Sequence, residues 1–137
     1  MSQAKSNVVQ IGSPDAPRYF TLKEANDMLA LIKKITAESY SELQVVKTRL
    51  QNLLPSDPRV VFIEKEYESV VKKWISKMER LGVVVKGLWL IDFDTGDGYL
   101  CWKYPELEIS YYHEYTGGFA ARKPISKVIE ETSPDWA

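Results

Sequence analysis

The chain has 137 residues, 45% of them hydrophobic and 27% charged, and its formal net charge is −1. This length and composition are typical of one soluble globular domain with a core of its own. The near-neutral charge argues against a dedicated binder of nucleic acids or anionic membranes, because such proteins usually carry an excess of basic residues.

The cysteine content and the apolar segments indicate a cellular compartment. A single cysteine cannot form an intrachain disulfide, which is typical of proteins in a reducing cytosol. No segment approaches the roughly 20 apolar residues that a membrane helix requires, and the first residues lack the apolar run of a secretion signal. We therefore expect a cytoplasmic protein that spans no membrane.

A first helix is predicted over about 21–54. Thr21 and Glu24 have the spacing of a capping box, in which each side chain bonds a free backbone N–H of the helix start. The apolar residues that follow recur at steps of three and four and form one stripe along the helix. Thr36 and Ser39 interrupt this stripe.

A second helix is predicted over about 57–81. Asp57 is suited to cap it, and Pro58 is suited to the first helical position, where no backbone N–H is needed. Gly82 is expected to end it in the left-handed conformation. Because the connection between the two helices is short, they must form an antiparallel hairpin.

The second half of the chain predicts a sheet over about 83–116. Runs rich in β-branched and aromatic residues are separated by Gly, Asp and Pro, which are typical of turns. These runs predict a three-stranded antiparallel meander with strands over about 88–93, 99–104 and 108–115.

These elements predict an α+β fold, a long antiparallel helical hairpin followed by a three-stranded antiparallel β-meander. We expect one domain over residues 18–125. Residues 1–17 lack periodicity and are expected to form a flexible arm. Residues 126–137 are expected to form a loose tail, in which Val128 and Ile129 could add a short helical turn.

Several short motifs resemble a known family. They are Phe20-Thr21-Leu22, Glu24-Ala25-Asn26, Leu81-Gly82, Val85-Lys86, Asp92-Phe93, Leu100-Cys101-Trp102, Glu108-Ile109, His113-Glu114, Gly118-Phe119, Arg122 and Pro124. With these motifs the chain resembles the small prokaryotic proteins grouped as domain of unknown function 2203. One departure is Tyr112, where such proteins often carry tryptophan. The resemblance implies a fold and a location for the signature, and it implies no activity.

The candidate site is the segment 99–122, which holds the only histidine and the only cysteine. His113 is suited to proton transfer or metal binding, because its unperturbed pKa lies near 6.5 and its neutral ring coordinates metals. The alternative is a hydrogen-bonded histidine at the edge of an aromatic core. Cys101 is either an inert buried thiol or the nucleophile of a pair with His113, depending on the strand register.

A metal site within the sheet is disfavoured by spacing. Asp92 and Asp94 lie two inter-strand gaps from the strand of His113, about 9–10 Å in all, whereas metal ligands lie roughly 2.0–2.6 Å from the ion. Glu108 and Glu114 are about 20 Å apart on one strand. A metal site that includes His113 would need acidic ligands from the helices or from another subunit.

Arg122 follows the turn at Gly117 and Gly118. Its guanidinium and the turn N–H groups could hold a small anionic ligand such as a carboxylate or phosphate. The alternative is a local ion pair with Glu114 or Glu106 that fixes the loop.

Two functions are consistent with the sequence, and no cofactor is assigned. The favoured hypothesis is a non-enzymatic binding or assembly module that forms a homo-oligomer through its helices or an aromatic sheet face. The alternative is a small enzyme or a ligand or metal sensor centred on His113, Glu114 and Arg122, with Tyr111, Tyr112 or Cys101 assisting.

Overall fold

A computed structural model describes residues 18–137. The arm predicted over residues 1–17 lies outside the described residues. The helices are α1 (Leu22–Gln51), α2 (Val60–Arg80) and α3 (Ile125–Thr132), and a short 3₁₀ helix spans Phe119–Ala121. The strands are β1 (Val84–Gly87), β2 (Leu90–Asp94), β3 (Tyr99–Lys103), β4 (Tyr111–His113) and β5 (Lys123–Pro124).

The predicted capping box begins α1. The Thr21 hydroxyl accepts a hydrogen bond from the Glu24 backbone N–H at 3.1 Å, and the Glu24 carboxylate accepts one from the Thr21 N–H at 2.9 Å. Two free donors of the helix end are thereby satisfied. This part of the sequence prediction is confirmed.

The start of α2 differs from the prediction. Asp57 does not cap the helix, because its carboxylate accepts from the N–H and the guanidinium of Arg59. These bonds lower the pKa of the Asp57 carboxyl to about 2. Pro58 therefore lies before the helix, which begins at Val60. At the other end, Gly82 has the expected left-handed backbone, with φ of 88°.

The two polar residues that interrupt the apolar stripe of α1 point into the core. Thr36 is fully buried and Ser39 is 7% exposed. The Thr36 hydroxyl accepts a hydrogen bond of 3.0 Å from the indole N–H of Trp74 on α2. A buried indole N–H needs such an acceptor. The polar residue within the apolar stripe of α1 therefore satisfies the tryptophan that α2 contributes to the core.

The sheet is antiparallel, with the strand order β1-β2-β3-β4-β5. It has five strands where the sequence predicts three. Trp89, with a positive φ of 64°, forms a turn that separates β1 from β2. Residues 123–124 return beside β4 as β5. The α+β class, with a helical pair followed by antiparallel strands, is confirmed.

The two faces of the sheet differ in chemistry. One face belongs to the core that includes the helices, and its buried side chains are Ile91, Phe93, Leu100, Trp102 and Tyr112. Trp89, in the turn before β2, packs edge-on against Trp74 of α2. The opposite face carries the polar side chains described below.

The last residues are packed and do not form the loose tail expected from their polarity. They include α3, and Trp136 is only 3% exposed. The Trp136 ring stacks on Tyr112 at 5.3 Å, and its carbonyl accepts from the N–H of Leu22 at 2.7 Å. These tertiary contacts outweigh the weak local signal. Among residues 18–137, no helix combines the length and apolarity required to cross a bilayer.

Replacing Thr36 by valine is expected to destabilise the protein by about 1–3 kcal/mol, because the Trp74 indole N–H would be buried without an acceptor. Urea unfolding measures the change in the free energy of unfolding. Thr48→Val is the matched control, since Thr48 is exposed on the same helix, and its effect should stay within about 0.5 kcal/mol. Equal losses in both variants would contradict a role for this hydrogen bond.

Candidate functional site

A carboxylate, a thiol and an imidazole meet on the polar face of the sheet. The register pairs Asp92 of β2 with Cys101 of β3, and Cys101 with Tyr111 of β4. His113 lies two residues further along β4, so its side chain shares this face. One potential ligand atom from each of Asp92, Cys101 and His113 lies within 4.8 Å of the other two. All three residues are buried, with 0%, 1% and 3% of their surface exposed.

Both ring nitrogens of His113 face oxygen acceptors. Nε2 lies 2.9 Å from Oδ2 of Asp92, and Nδ1 lies 2.9 Å from the backbone carbonyl of Glu114. A neutral imidazole has one N–H and so can donate to only one of them. Both contacts are favourable only if a second proton is present, either on the ring or on the Asp92 carboxyl, or if a cation lies between the ring and the carboxylate.

The contact between Asp92 and His113 corrects the spacing argument made from the sequence. A gap of about 9–10 Å between the two strands made a shared site of Asp92 and His113 unfavourable. The two side chains extend toward each other across β3, so that Nε2 of His113 lies 2.9 Å from Oδ2 of Asp92. The histidine therefore has a buried acidic partner from its own sheet.

The Asp92 carboxylate is only partly satisfied. Its Oδ2 contacts His113, whereas Oδ1 is buried and has no hydrogen-bond partner among the described residues. Burial raises the pKa of the Asp92 carboxyl, and this effect is opposed by His113, the Cys101 thiol and Lys86. A buried carboxylate oxygen without a donor is uncommon and requires an explanation.

The Cys101 thiol is unsuited to nucleophilic chemistry. Burial, followed by the nearby Asp92 carboxylate, raises its pKa to about 12. The strand register does place Cys101 on the same face as His113. The Arg122 guanidinium, 3.8 Å from the sulfur, lowers the pKa of the thiol, but burial and the Asp92 carboxylate outweigh it, so the thiol stays protonated near neutral pH.

Arg122 covers the cluster from the loop between β4 and β5. Its guanidinium makes two hydrogen bonds to the Glu106 carboxylate, at 2.6 and 3.2 Å, and approaches the Cys101 sulfur at 3.8 Å. It also lies 3.9 Å from the centre of the Tyr111 ring and 4.3 Å from that of Phe119. The local ion-pair alternative thus describes the structure, with Glu106 as the acid.

The remaining candidates lie at the margin of the cluster or outside it. The Glu114 side chain is exposed, and only its carbonyl contacts His113. Tyr112 points to the helix side, where it stacks on Trp136. Tyr99, which the sequence did not single out, has its ring 5.4 Å from that of His113.

Asp92 is the residue that sequence reasoning set aside and the structure includes. A signal for it was present, because Asp92 is the one acid inside an otherwise apolar run, between Ile91 and Phe93. A charged residue rarely lies at such a position unless it is paired.

Comparison with known proteins gives a family and no activity. The family model described as "Uncharacterized conserved protein (DUF2203)" matches residues 18–125. No curated protein and no solved structure matches the chain. The match covers most of the chain and includes the whole cluster.

The pH dependence of stability should change when Asp92 is replaced by asparagine. Because the folded state raises the pKa of the Asp92 carboxyl, it binds this proton more tightly than the unfolded chain does. Stability from this group is present at low pH and is lost as the pH rises through the folded pKa. Lowering the pH from about 7 to about 4 should therefore stabilise the wild type relative to Asp92→Asn.

Urea unfolding in the presence of a chelator measures this difference at each pH. Asp97→Asn is the control, because Asp97 is exposed in the turn between β2 and β3, and its difference from wild type should vary less. A wild-type advantage over Asp92→Asn that shrinks on acidification would contradict the assignment.

Proposed function

The chain belongs to the family Uncharacterized conserved protein (DUF2203), and we propose that it is a non-enzymatic assembly module that pairs with a second copy of itself through its helical hairpin. The observation that carries this proposal is an exposed apolar surface at one end of the hairpin. The proposed setting is the cytoplasm, where the buried thiol would stay reduced.

The exposed apolar surface flanks the turn between α1 and α2. Leu54, Val61 and Phe62 are 74%, 55% and 68% exposed, and they are called the hairpin end below. Large apolar side chains clustered at one place commonly mark an interaction surface. Burying each one fully is worth about 1.5–3 kcal/mol, so a partner that covers all three would gain substantially.

The sheet leaves the hairpin end uncovered because it packs at the opposite end. The aromatic contacts between the hairpin and the sheet side are made by Tyr40, which meets Tyr104, and by Trp74, which meets Trp89. Both helices continue well beyond these contacts toward the turn. There the two helices are joined to each other by the ion pair of Arg49 with Glu66.

The charge pattern of α2 supports a second copy as the occupant. Its first half is mainly acidic and its second half mainly basic. The acids are Glu64, Glu66 and Glu68, with Lys65 among them, and the bases are Lys72, Lys73, Lys77 and Arg80, with Glu79 among them. An antiparallel pair of α2 helices would place the acidic half of each against the basic half of the other, as in a two-fold dimer. The hairpin end of each copy would then be covered by the C-terminal half of the partner's α2.

The polar face of the sheet supports a role in binding more than one in catalysis. The pKa of Cys101 is raised to about 12, and Arg122 already holds Glu106. That ion pair also makes Arg122 a poor receptor for a small anionic ligand. The alternative enzyme centred on His113, Glu114 and Arg122 loses support, because the Glu114 side chain is exposed and only its carbonyl contacts His113.

Phe62→Ser is expected to weaken self-association by at least about tenfold, or 1.4 kcal/mol, because it removes the largest apolar side chain of the hairpin end from the contact without adding a charge. Sedimentation equilibrium over a range of protein concentrations measures the dimer dissociation constant. Leu107→Ser is the matched control, since Leu107 is 77% exposed on the sheet side, away from the hairpin end. Raised salt should weaken the wild-type dimer, because it screens the paired charges.

Two results would overturn this proposal. One is a wild-type protein that remains monomeric at the highest attainable concentration. The other is a dimer that Leu107→Ser disrupts as strongly as Phe62→Ser, which would place the interface on the sheet side.

A further inference from the structure

We propose that Asp92, Cys101 and His113 form a binding site for one divalent transition-metal ion of the zinc type. The proposal concerns the polar face of the sheet and is independent of self-association through the hairpin.

The hydrogen bonding of the cluster is unmatched without a bound cation. Nδ1 of His113 faces the Glu114 carbonyl, which can only accept, so this nitrogen must carry a proton. In the neutral ring, Nε2 then presents a lone pair to the Asp92 carboxylate at 2.9 Å. A cation bound by both groups turns this repulsive contact into two favourable ones.

One oxygen of the Asp92 carboxylate also lacks a partner. Oδ1 is buried and lacks a hydrogen-bond partner among residues 18–137, although Asp92 has no exposed surface. Leaving a buried charged acceptor unpaired costs more than the roughly 1–3 kcal/mol of a neutral group. A metal ion on the same carboxylate would supply the missing positive partner.

The geometry requires only small side-chain movements. The three ligand atoms lie within 4.8 Å of one another. An ion placed between them would therefore lie no more than about 2.8 Å from each atom, and zinc bonds to such atoms are about 2.0–2.3 Å long. All three side chains project from neighbouring strands of a regular antiparallel sheet. Rotations of the side chains can therefore close the site without a change in the backbone.

The donor atoms match zinc better than magnesium or calcium. An imidazole nitrogen, a thiolate and a carboxylate form a mixed set that suits zinc and similar ions, whereas magnesium and calcium prefer oxygen ligands alone. With Cys101 as thiolate, Asp92 ionised and His113 neutral, the two negative charges balance a divalent ion. Such neutrality is needed in a buried site.

The groups around the cluster also fit a metal site. The other ring nitrogen of a metal-bound histidine usually donates to a carbonyl or carboxylate, as His113 Nδ1 can do to Glu114. Arg122, at 3.8 Å from the Cys101 sulfur, is placed to donate to a thiolate. Its own charge is offset by Glu106, so it need not repel the metal ion.

The test uses the full chain, unfolded and refolded with Zn²⁺ or Co²⁺ so that the buried site can load, and then freed of excess metal. We expect about one zinc per chain by elemental analysis. Co²⁺ should give thiolate-to-metal charge-transfer absorption, which can arise only from Cys101, the one cysteine present.

Cys101→Ser and Asp92→Asn should each lower the zinc affinity more than about tenfold, measured by competition with a chromophoric chelator. Glu114→Ala is the control and should bind like the wild type, because the Glu114 side chain is exposed while its carbonyl is retained. Circular dichroism confirms that each variant is folded.

The proposal fails if folded wild-type protein retains no zinc and gives no thiolate–cobalt absorption. It also fails if folded Cys101→Ser binds as tightly as the wild type. Both readouts on wild type remain decisive if a variant does not fold. Sedimentation of the same samples separates this outcome from failure of the proposed dimer, which depends on different residues.

Discussion

The contact between Asp92 and His113 is the constraint on which the polar face of the sheet depends. The two side chains come from β2 and β4 and meet over β3 at 2.9 Å. A slip of one residue in either strand pairing would turn one of them to the opposite face, among apolar residues such as Phe93. The contact therefore ties the register of three strands to the pairing of one acid with one imidazole.

The loop over this face follows from the same arrangement. Arg122 reaches back to Glu106 and lies against Tyr111, which the register pairs with Cys101. A planar guanidinium can hold a carboxylate and stack on an aromatic ring at once, which a lysine cannot do. The cluster is thus closed by groups that satisfy one another, while the Asp92 carboxylate below them is not fully satisfied.

The two ends of the hairpin differ in burial, because only one of them packs against the sheet. Near the sheet, Trp74 is fully buried and its N–H is matched by Thr36. Near the turn, the helices bury only the seam between them, and Phe62 remains exposed. The apolar residues have the same spacing at both ends of the hairpin. The apolar stripe alone therefore does not reveal which part of the hairpin the sheet covers.

Local signals predicted the local features, and contacts between distant residues decided the rest. The capping box at Thr21 and the left-handed Gly82 depend on neighbouring residues, and both are present. The contact between Asp92 and His113 depends on the length and direction of their side chains. The distance between the backbones of their strands does not include this reach. The packed position of Trp136 depends on Tyr112, which lies far away in sequence.

The tryptophans divide the protein into parts that different probes can observe. All four indoles are at most 7% exposed, and none lies in the part of the hairpin near its turn. Fluorescence consequently monitors the sheet, its junction with the helices and the packing around Trp136. Fraying of the hairpin end, whose apolar side chains are exposed, would leave that signal unchanged and appear in amide hydrogen exchange. The molecule therefore permits local opening at one pole to be distinguished from global unfolding.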